Sequence, residues 1–307
     1  MKTITLGLGA CALALLAPAA KSQGAGDFIP SDSLVSVHIP NLGQTIDHMR
    51  DAVETVCAHP ALNQALQQGL EEMASEIGFN PLQKNTWRAL GIDTKRDAAF
   101  FLDMPAGGAM EPLFAIILPV SDQEALQGMI TRLMGRNRKM EWRAAEGVEG
   151  AMQPWVESWD GESMRAEGMI LAFRDGYAVM CGSDDEEKVH MAAALALGAN
   201  GGIGGDANFA AGRQSLGERD VYANLRISRL MGAIRQNAVA QAKEWREKAA
   251  EAGEDGEWML DVADSMEQQS SQFEWISDLL DGFGDQIVLG LGADETGVRL
   301  GTWMHGA

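Results

Sequence analysis

Tyrosine and cysteine are scarce in this chain, with two and three residues, histidine supplies five, and 24 basic residues face 44 acidic ones. Each shortage excludes something. At a formal net charge of −20 the chain lacks the concentrated basic surface that displaces counterions from a phosphate backbone, so no nucleic-acid partner is expected. The one basic cluster, Arg132, Arg136, Arg138, Lys139 and Arg143, reads as a solvated helix end and loop. Among His38, His48, His59, His190 and His305 no two stand four residues apart, the spacing that sets two ligands on one helix face. The acidic runs at 184–187 and 254–257 lack the alternating ligands and distal glutamate of a calcium loop. No metal or cofactor is therefore expected. A Gly-x-Ser-x-Gly elbow, a Ser-x-x-Lys box and an activated cysteine signature are all missing, and no catalytic residue is assigned. Beyond the first twenty residues no apolar run is long enough to span a bilayer.

The N-terminus has its own pattern. Lys2, the apolar stretch Ile4 to Leu16 and the small-x-small site Ala17-Pro-Ala19 read as a signal peptide over residues 1–20. The expected address is the periplasm or cell envelope, or the extracellular space. Leu8-Gly-Ala-Cys11 loosely matches a lipobox, so a lipoprotein is the competing reading, and a retained N-terminal anchor is a third. After cleavage Cys57 and Cys181 remain, an even number in an oxidising compartment. They are a candidate disulfide, with two buried free thiols as the alternative.

What the chain has is a 46% apolar content, enough for a proper core, and a pattern that recurs. Asp32-Ser-Leu-Val-Ser-Val-His-Ile is echoed by Asp220-Val-Tyr-Ala-Asn-Leu-Arg-Ile, and Asp97, opening an apolar run, is echoed by Asp285. Both echoes lie 188 residues downstream. The expected architecture is α+β: an internally duplicated unit of strand, helices and hairpin, with mostly antiparallel sheet and helices packed on one face. The first unit spans 27–197 with an extra hairpin and helix, a Gly-rich linker 198–205 follows, and the second unit spans 206–307. The pattern predicts helices over 43–58, 61–77, 121–133, 183–197 and 207–216, and two long amphipathic helices between 230 and 280 that cover the second sheet. Strand pairs are predicted at 98–103 with 112–120, and at 169–173 with 177–181 around Asp175-Gly176. His38 has Arg226 as its counterpart, and this polar position predicts a solvent-facing side of the strand.

Two features invite a functional reading. The glycines of 198–205 follow a helix and precede no lysine, so they form a linker and not a phosphate loop. Trp142, Trp155 and Trp159 fall in the least regular segment beside Met140, Met152 and Met164, which reads as core filling or as an apolar gripping surface. Trp245, Trp258 and Trp275 sit at helical spacings and read as packing residues.

Ile29-Pro-Ser-Asp32 before a strand, Leu90-Gly-Ile-Asp93 before a hairpin and Leu118-Pro-Val-Ser-Asp122 before a helix resemble functionally uncharacterised exported bacterial proteins with a duplicated α+β unit. The resemblance implies an envelope location and a duplicated fold, and no catalytic residue. The expectation is an exported, non-enzymatic protein that binds a protein partner or an apolar small molecule. The alternative is an envelope hydrolase whose carboxylates meet only in the fold; a cleft holding a histidine–carboxylate pair would favour it.

Overall fold

The computed structural model describes residues 24–57, 60–104, 112–135, 139–157, 163–165, 168–183, 185–198, 202–252, 256–281, 285–294 and 297–304. The signal segment 1–20 and Trp159 lie outside the described residues.

Short apolar runs ending in turn residues become strands: Val35–Ile39 (β1), Ala98–Asp103 (β2), Leu113–Pro119 (β3), Met140–Ala144 (β4), Ala151–Glu157 (β5), Ser163–Arg165 (β6), Met169–Arg174 (β7), Tyr177–Gly182 (β8), Val221–Arg226 (β9), Gln286–Asp294 (β10) and Gly297–Met304 (β11). They form one antiparallel sheet in the order β11-β10-β9-β1-β2-β3-β8-β7-β5-β4, with β6 on β5. The β7–β8 turn uses Asp175 at φ 52° and Gly176 at φ 78°. Two successive left-handed residues give the turn a twist that matches its strands. At the centre β1 pairs with β9, Ser36 opposite Asn224 and Val37 opposite Ala223, so the sheet is continuous across the two sequence units.

The helices are Leu42–Cys57 (α1), Pro60–Ile77 (α2), Lys84–Ala89 (α3), Gln123–Gly135 (α4), Glu186–Gly198 (α5), Ala207–Leu216 (α6), Ile227–Ala252 (α7) and Glu257–Asp281 (α8). Asp206 caps α6, accepting from the Phe209 amide at 2.8 Å. For α5 the cap is Asp185, which accepts from the Glu187 and Lys188 amides, and not Ser183.

Helices cover both faces of the sheet, which corrects the expectation of one. Adjacent residues on a strand point to opposite sides. Ala99, Phe101, Ala115 and Ile117 lie in one core with Val189, Ala192 and Ala193 of α5 and Phe209 of α6, whereas Ala98, Leu171 and Ala178 lie in another with Leu42 and Ile46 of α1 and Leu126 and Ile130 of α4. The cause is β3, Leu-Phe-Ala-Ile-Ile-Leu-Pro, which is apolar in both directions and needs cover on both. The 3-10 turns Ala25–Phe28 and Ile203–Gly205 complete the first core, with Phe28 and Ile203 each 1% exposed. The second of these turns belongs to the Gly-rich segment.

The long helices α7 and α8 do not cover the sheet as expected. They pack on each other along their length and touch the other elements only sparsely. Their seam is built from small residues: Ala238, Ala242, Ala249, Ala263 and Ser270 are buried. Trp245 of α7 meets Trp258 of α8 edge-to-face at 5.4 Å, yet Trp258 and Trp275 are 54% and 66% exposed, which corrects the reading of those two as packing residues. Among the described residues no helix is long and apolar enough to cross a membrane.

Cys181 is a free thiol, 1% exposed, and no bridge to Cys57 is formed. The sheet separates them: Cys181 lies in the core under α5, while Cys57 ends α1, which packs on the other face. Burial pushes the thiol up to about 12, so it stays protonated near neutrality. Native protein should leave Cys181 unmodified by iodoacetamide at about pH 8, where an ordinary thiol is already part thiolate. Rapid modification before unfolding, read by mass spectrometry, would contradict this placement.

Candidate functional site

Two carboxylates sit where an antiparallel strand returns to its neighbour. Asp97 immediately precedes β2, whose Ala99 lies opposite His38 of β1, so the chain brings Asp97 back beside His38. His38 Nε2 lies 3.1 Å from Asp97 Oδ2, the Ala25 amide donates to the same oxygen at 2.8 Å, and the Tyr177 hydroxyl donates to Oδ1. The Arg96 guanidinium stacks on the Tyr177 ring at 4.0 Å. Burial pushes the Asp97 carboxyl up, but the hydrogen bonds from His38 and Tyr177 and the amide of Ala25 outweigh it and hold the group below its ordinary value. Tyr177 is raised, by burial first and then by its bond to Asp97.

His38 is 9% exposed, so it does not face solvent as its polarity suggested. Its counterpart Arg226 is also enclosed, with Nη2 2.6 Å from Asp206 and Nη1 3.6 Å from Asp285. Both positions are polar because each places a side-chain nitrogen against the carboxylate that opens the neighbouring strand. With Asp97 engaged by three donors, this cluster fastens the turn Ala25–Phe28 to the sheet. A ligand finds no open face there.

An open site lies elsewhere, in a cleft of about 440 Å³ at the end of the sheet where β9 begins. The first turns of α1 supply Asn41, Thr45 and His48, the α6–β9 loop supplies Glu218, Arg219 and Asp220, and Arg213, Tyr222 and Arg299 close it. Asp220 is fully engaged: Oδ1 lies 2.7 Å from His48 Nδ1, and Oδ2 accepts from the Ala293 amide at 2.8 Å. The bond at Nδ1 fixes the imidazole orientation and leaves Nε2 as its other polar atom. The cleft's hydroxyls are committed to the backbone, Thr45 to the carbonyls of Asn41 and Asp220, and Tyr222 to that of Gly217. This arrangement has positive charge and an oriented histidine, and its hydroxyls are occupied as donors.

The structure puts Trp142 and Trp155 on opposite faces of the sheet, and Trp159 lies outside the described residues. Trp142 sits opposite Pro154 on the β4–β5 pair, so Trp155 projects from the opposite face. Trp142 packs in the core under α4 and donates to Thr131 Oγ1 at 2.9 Å, whereas Trp155 carries the Arg143 guanidinium at 4.3 Å. The cleft was missed because its residues come from five separate stretches, none with a local spacing. The echo of Asp32 at Asp220 was the only signal near it. Its sequence offers no further classification: no family model, curated protein or solved structure matches this chain.

Replacing Asp97 by alanine strands three donors and should cost about 2–4 kcal/mol, while Tyr177→Phe should cost about 0.5–1.5 kcal/mol. The folded Asp97 pKa is depressed, so its contribution is present above the unfolded value and is lost as pH falls through the lower folded value. Urea midpoints taken from about pH 7 down to about pH 3 should therefore drop in the parent and drop less in Asp97→Asn. Equal acid slopes in the two would refute this assignment.

Proposed function

We propose that the protein is an exported, non-enzymatic binding protein of the periplasm or cell envelope, and that it holds a protein partner on the α7–α8 hairpin. The observation that carries this reading is an arm almost free of the sheet with two tryptophans in solvent. Trp245 meets Trp258 edge-to-face at 5.4 Å near the tip, and Trp275 is exposed farther along α8. Exposed indoles on a rigid element are typical anchors of protein interfaces. The chemistry of the partner follows from α8, which carries seven acidic residues and no lysine or arginine. Three of those acids are bound within the arm, Glu274 to Arg235, and Asp264 and Glu267 to Arg246. The remainder favour a cationic partner. An apolar small molecule is less well served, because the cleft is lined by arginines and an acid–histidine pair.

The hydrolase reading has one observation in its favour, the His48–Asp220 pair in an open cleft. Against it stand the committed hydroxyls, since neither Thr45 nor Tyr222 is left free to act as a nucleophile.

We also infer that the fold arose by duplication of a strand, helices and hairpin, with units at 27–197 and 206–307. The 188-residue offset maps Ser36 onto Asn224, and these two residues face each other across β1 and β9. A local two-fold axis through that pair would exchange the copies. The same offset maps the His38–Asp97 pair onto Arg226–Asp285. The register then slips by one residue: His38 faces Ala99, but Arg226 faces Gln286.

Trp258→Ala with Trp275→Ala should leave the urea midpoint nearly unchanged while abolishing salt-sensitive cross-linking of a basic protein in intact envelopes. Undiminished cross-linking in the double variant would end the hairpin reading. For the duplication, His38→Arg should be tolerated better than His38→Leu, since arginine already fills the equivalent position. A less stable His38→Arg would count against equivalence.

A further inference from the structure

We propose that the arginine-lined cleft is a binding site for a small oxyanion, a carboxylate- or phosphate-bearing molecule, separate from the partner surface on the hairpin. The two lie at opposite ends of β9: Asp220 and Tyr222 line the cleft where the strand begins, and α7 leaves where it ends.

Charge supplies the first argument. Acids outnumber bases 44 to 24 in this chain, so a cation normally has a carboxylate at hand. Arg226, Arg229, Arg235 and Arg246 each have one. Arg213 and Arg219, both lining the cleft, have none among the described residues. Arg213 lies over the Tyr222 ring at 4.8 Å, and Arg219 donates only to the Glu218 carbonyl at 2.8 Å, while its buried Nε has no partner. A buried guanidinium N–H without an acceptor is costly, and an oxyanion is the acceptor a guanidinium fork matches best.

The second argument is that the site is built. The Arg219 stem lies across a floor of glycines on paired strands. A Cβ at Gly290 would come within 2.9 Å of Arg219 Cγ, and one at Gly292 within 3.2 Å of its Cδ. Gly290 faces Gly301 across the β10–β11 pair, where side chains would otherwise stand. Arg213 is held by the aromatic faces of Tyr222 and Phe209. Of the cleft's two acids, Asp220 is engaged by His48 and the Ala293 amide, and neither it nor Glu218 forms an ion pair with Arg213 or Arg219 among the described residues. A volume of about 440 Å³ suits a small metabolite-sized ligand.

Calorimetric titration of the full mature chain with inorganic phosphate, and separately with citrate, at constant ionic strength tests the site. Glycerol serves as the uncharged control. Saturable binding of at least one anion is expected, weakened about tenfold or more by Arg213→Gln and by Arg219→Gln, which corresponds to about 1.4 kcal/mol each. Arg235→Gln, on the hairpin, should leave it unchanged. Phosphate binding alone would point to a phosphorylated ligand, and citrate binding alone to a carboxylate. If Arg219→Gln loses its circular dichroism spectrum, Arg213→Gln, whose guanidinium makes only ring-face contacts, carries the test. No saturable heat up to about 10 mM of either anion, or equal weakening by Arg235→Gln, would overturn the proposal. Because the hairpin variants Trp258→Ala and Trp275→Ala should bind the anion normally, failure of one proposal is distinguishable from failure of the other.

Discussion

The pairing of β1 with β9 places everything else. It joins strands almost two hundred residues apart in sequence, so it closes the longest loop in the sheet, and it sets a row of polar residues in the interior. Ser36 and Asn224 face each other there, and Gln286 on β10 donates to Asn224 Oδ1 at 2.7 Å. All three are at most 1% exposed. Ser36 Oγ, Asn224 Nδ2 and Gln286 Oε1 have no partner among the described residues, and Val35, Val37 and Leu225 lie on the less buried face, so this pair inverts the usual polarity of a strand's two sides.

Two consequences follow from this central pair. Because β1 and β9 run antiparallel, the helices that leave them depart at opposite ends of the sheet. Helix α1 turns back against β10 and takes the cleft's Thr45 and His48 with it, whereas α7 leaves at the far end. At that far end the root is pinned by charge: Arg229 bonds Asp103 at 3.0 Å and Asp32 at 3.1 Å, and Ser228 bonds Asp285. The arm is fixed at its base and unsupported beyond. Its stability comes from the contact of the two helices, where Ala238, Ala242, Ala249, Ala263 and Ser270 are buried.

Elements with a local signature were legible in the sequence. The Asp175-Gly176 hairpin and the helices ending at Ile77 and Leu216 follow from residue chemistry within a few positions. What failed was the assignment of faces. The amphipathic pattern of α7 and α8 marks an apolar stripe, but periodicity does not say what covers it, and here each helix covers the other instead of the sheet. His38 failed for a related reason. Alternation identifies a strand's two sides, yet it cannot separate a side facing water from a side facing a buried carboxylate. The cleft was illegible because charge convergence from five segments is a property of topology. Trp142 and Trp155, close in sequence, were divided by the same alternation that identified their strands.

Charge, more than apolar area, divides the molecule into regions of different use. At the sheet's core Arg226 is bound to Asp206 and the His38 ring to Asp97, where low local dielectric strengthens the bonds and fixes strand ends. On the arm, ion pairs such as Arg235–Glu274 are exposed, and each adds little to stability. Their effect is to consume the arm's cations and leave the outer helix acidic, so it repels anions and attracts basic surfaces. In the cleft the logic reverses. Asp220 is engaged by His48 and the Ala293 amide, while Arg213 and Arg219 lack a carboxylate partner among the described residues, so guanidinium donors stay available at one end of a chain with a charge of −20. An acidic surround funnels an anion poorly at long range, and salt screens that repulsion within about 8 Å at physiological strength. An oxyanion reaching the cleft would thus be held by short-range guanidinium bonds, and its affinity should owe more to dissociation than to encounter rate.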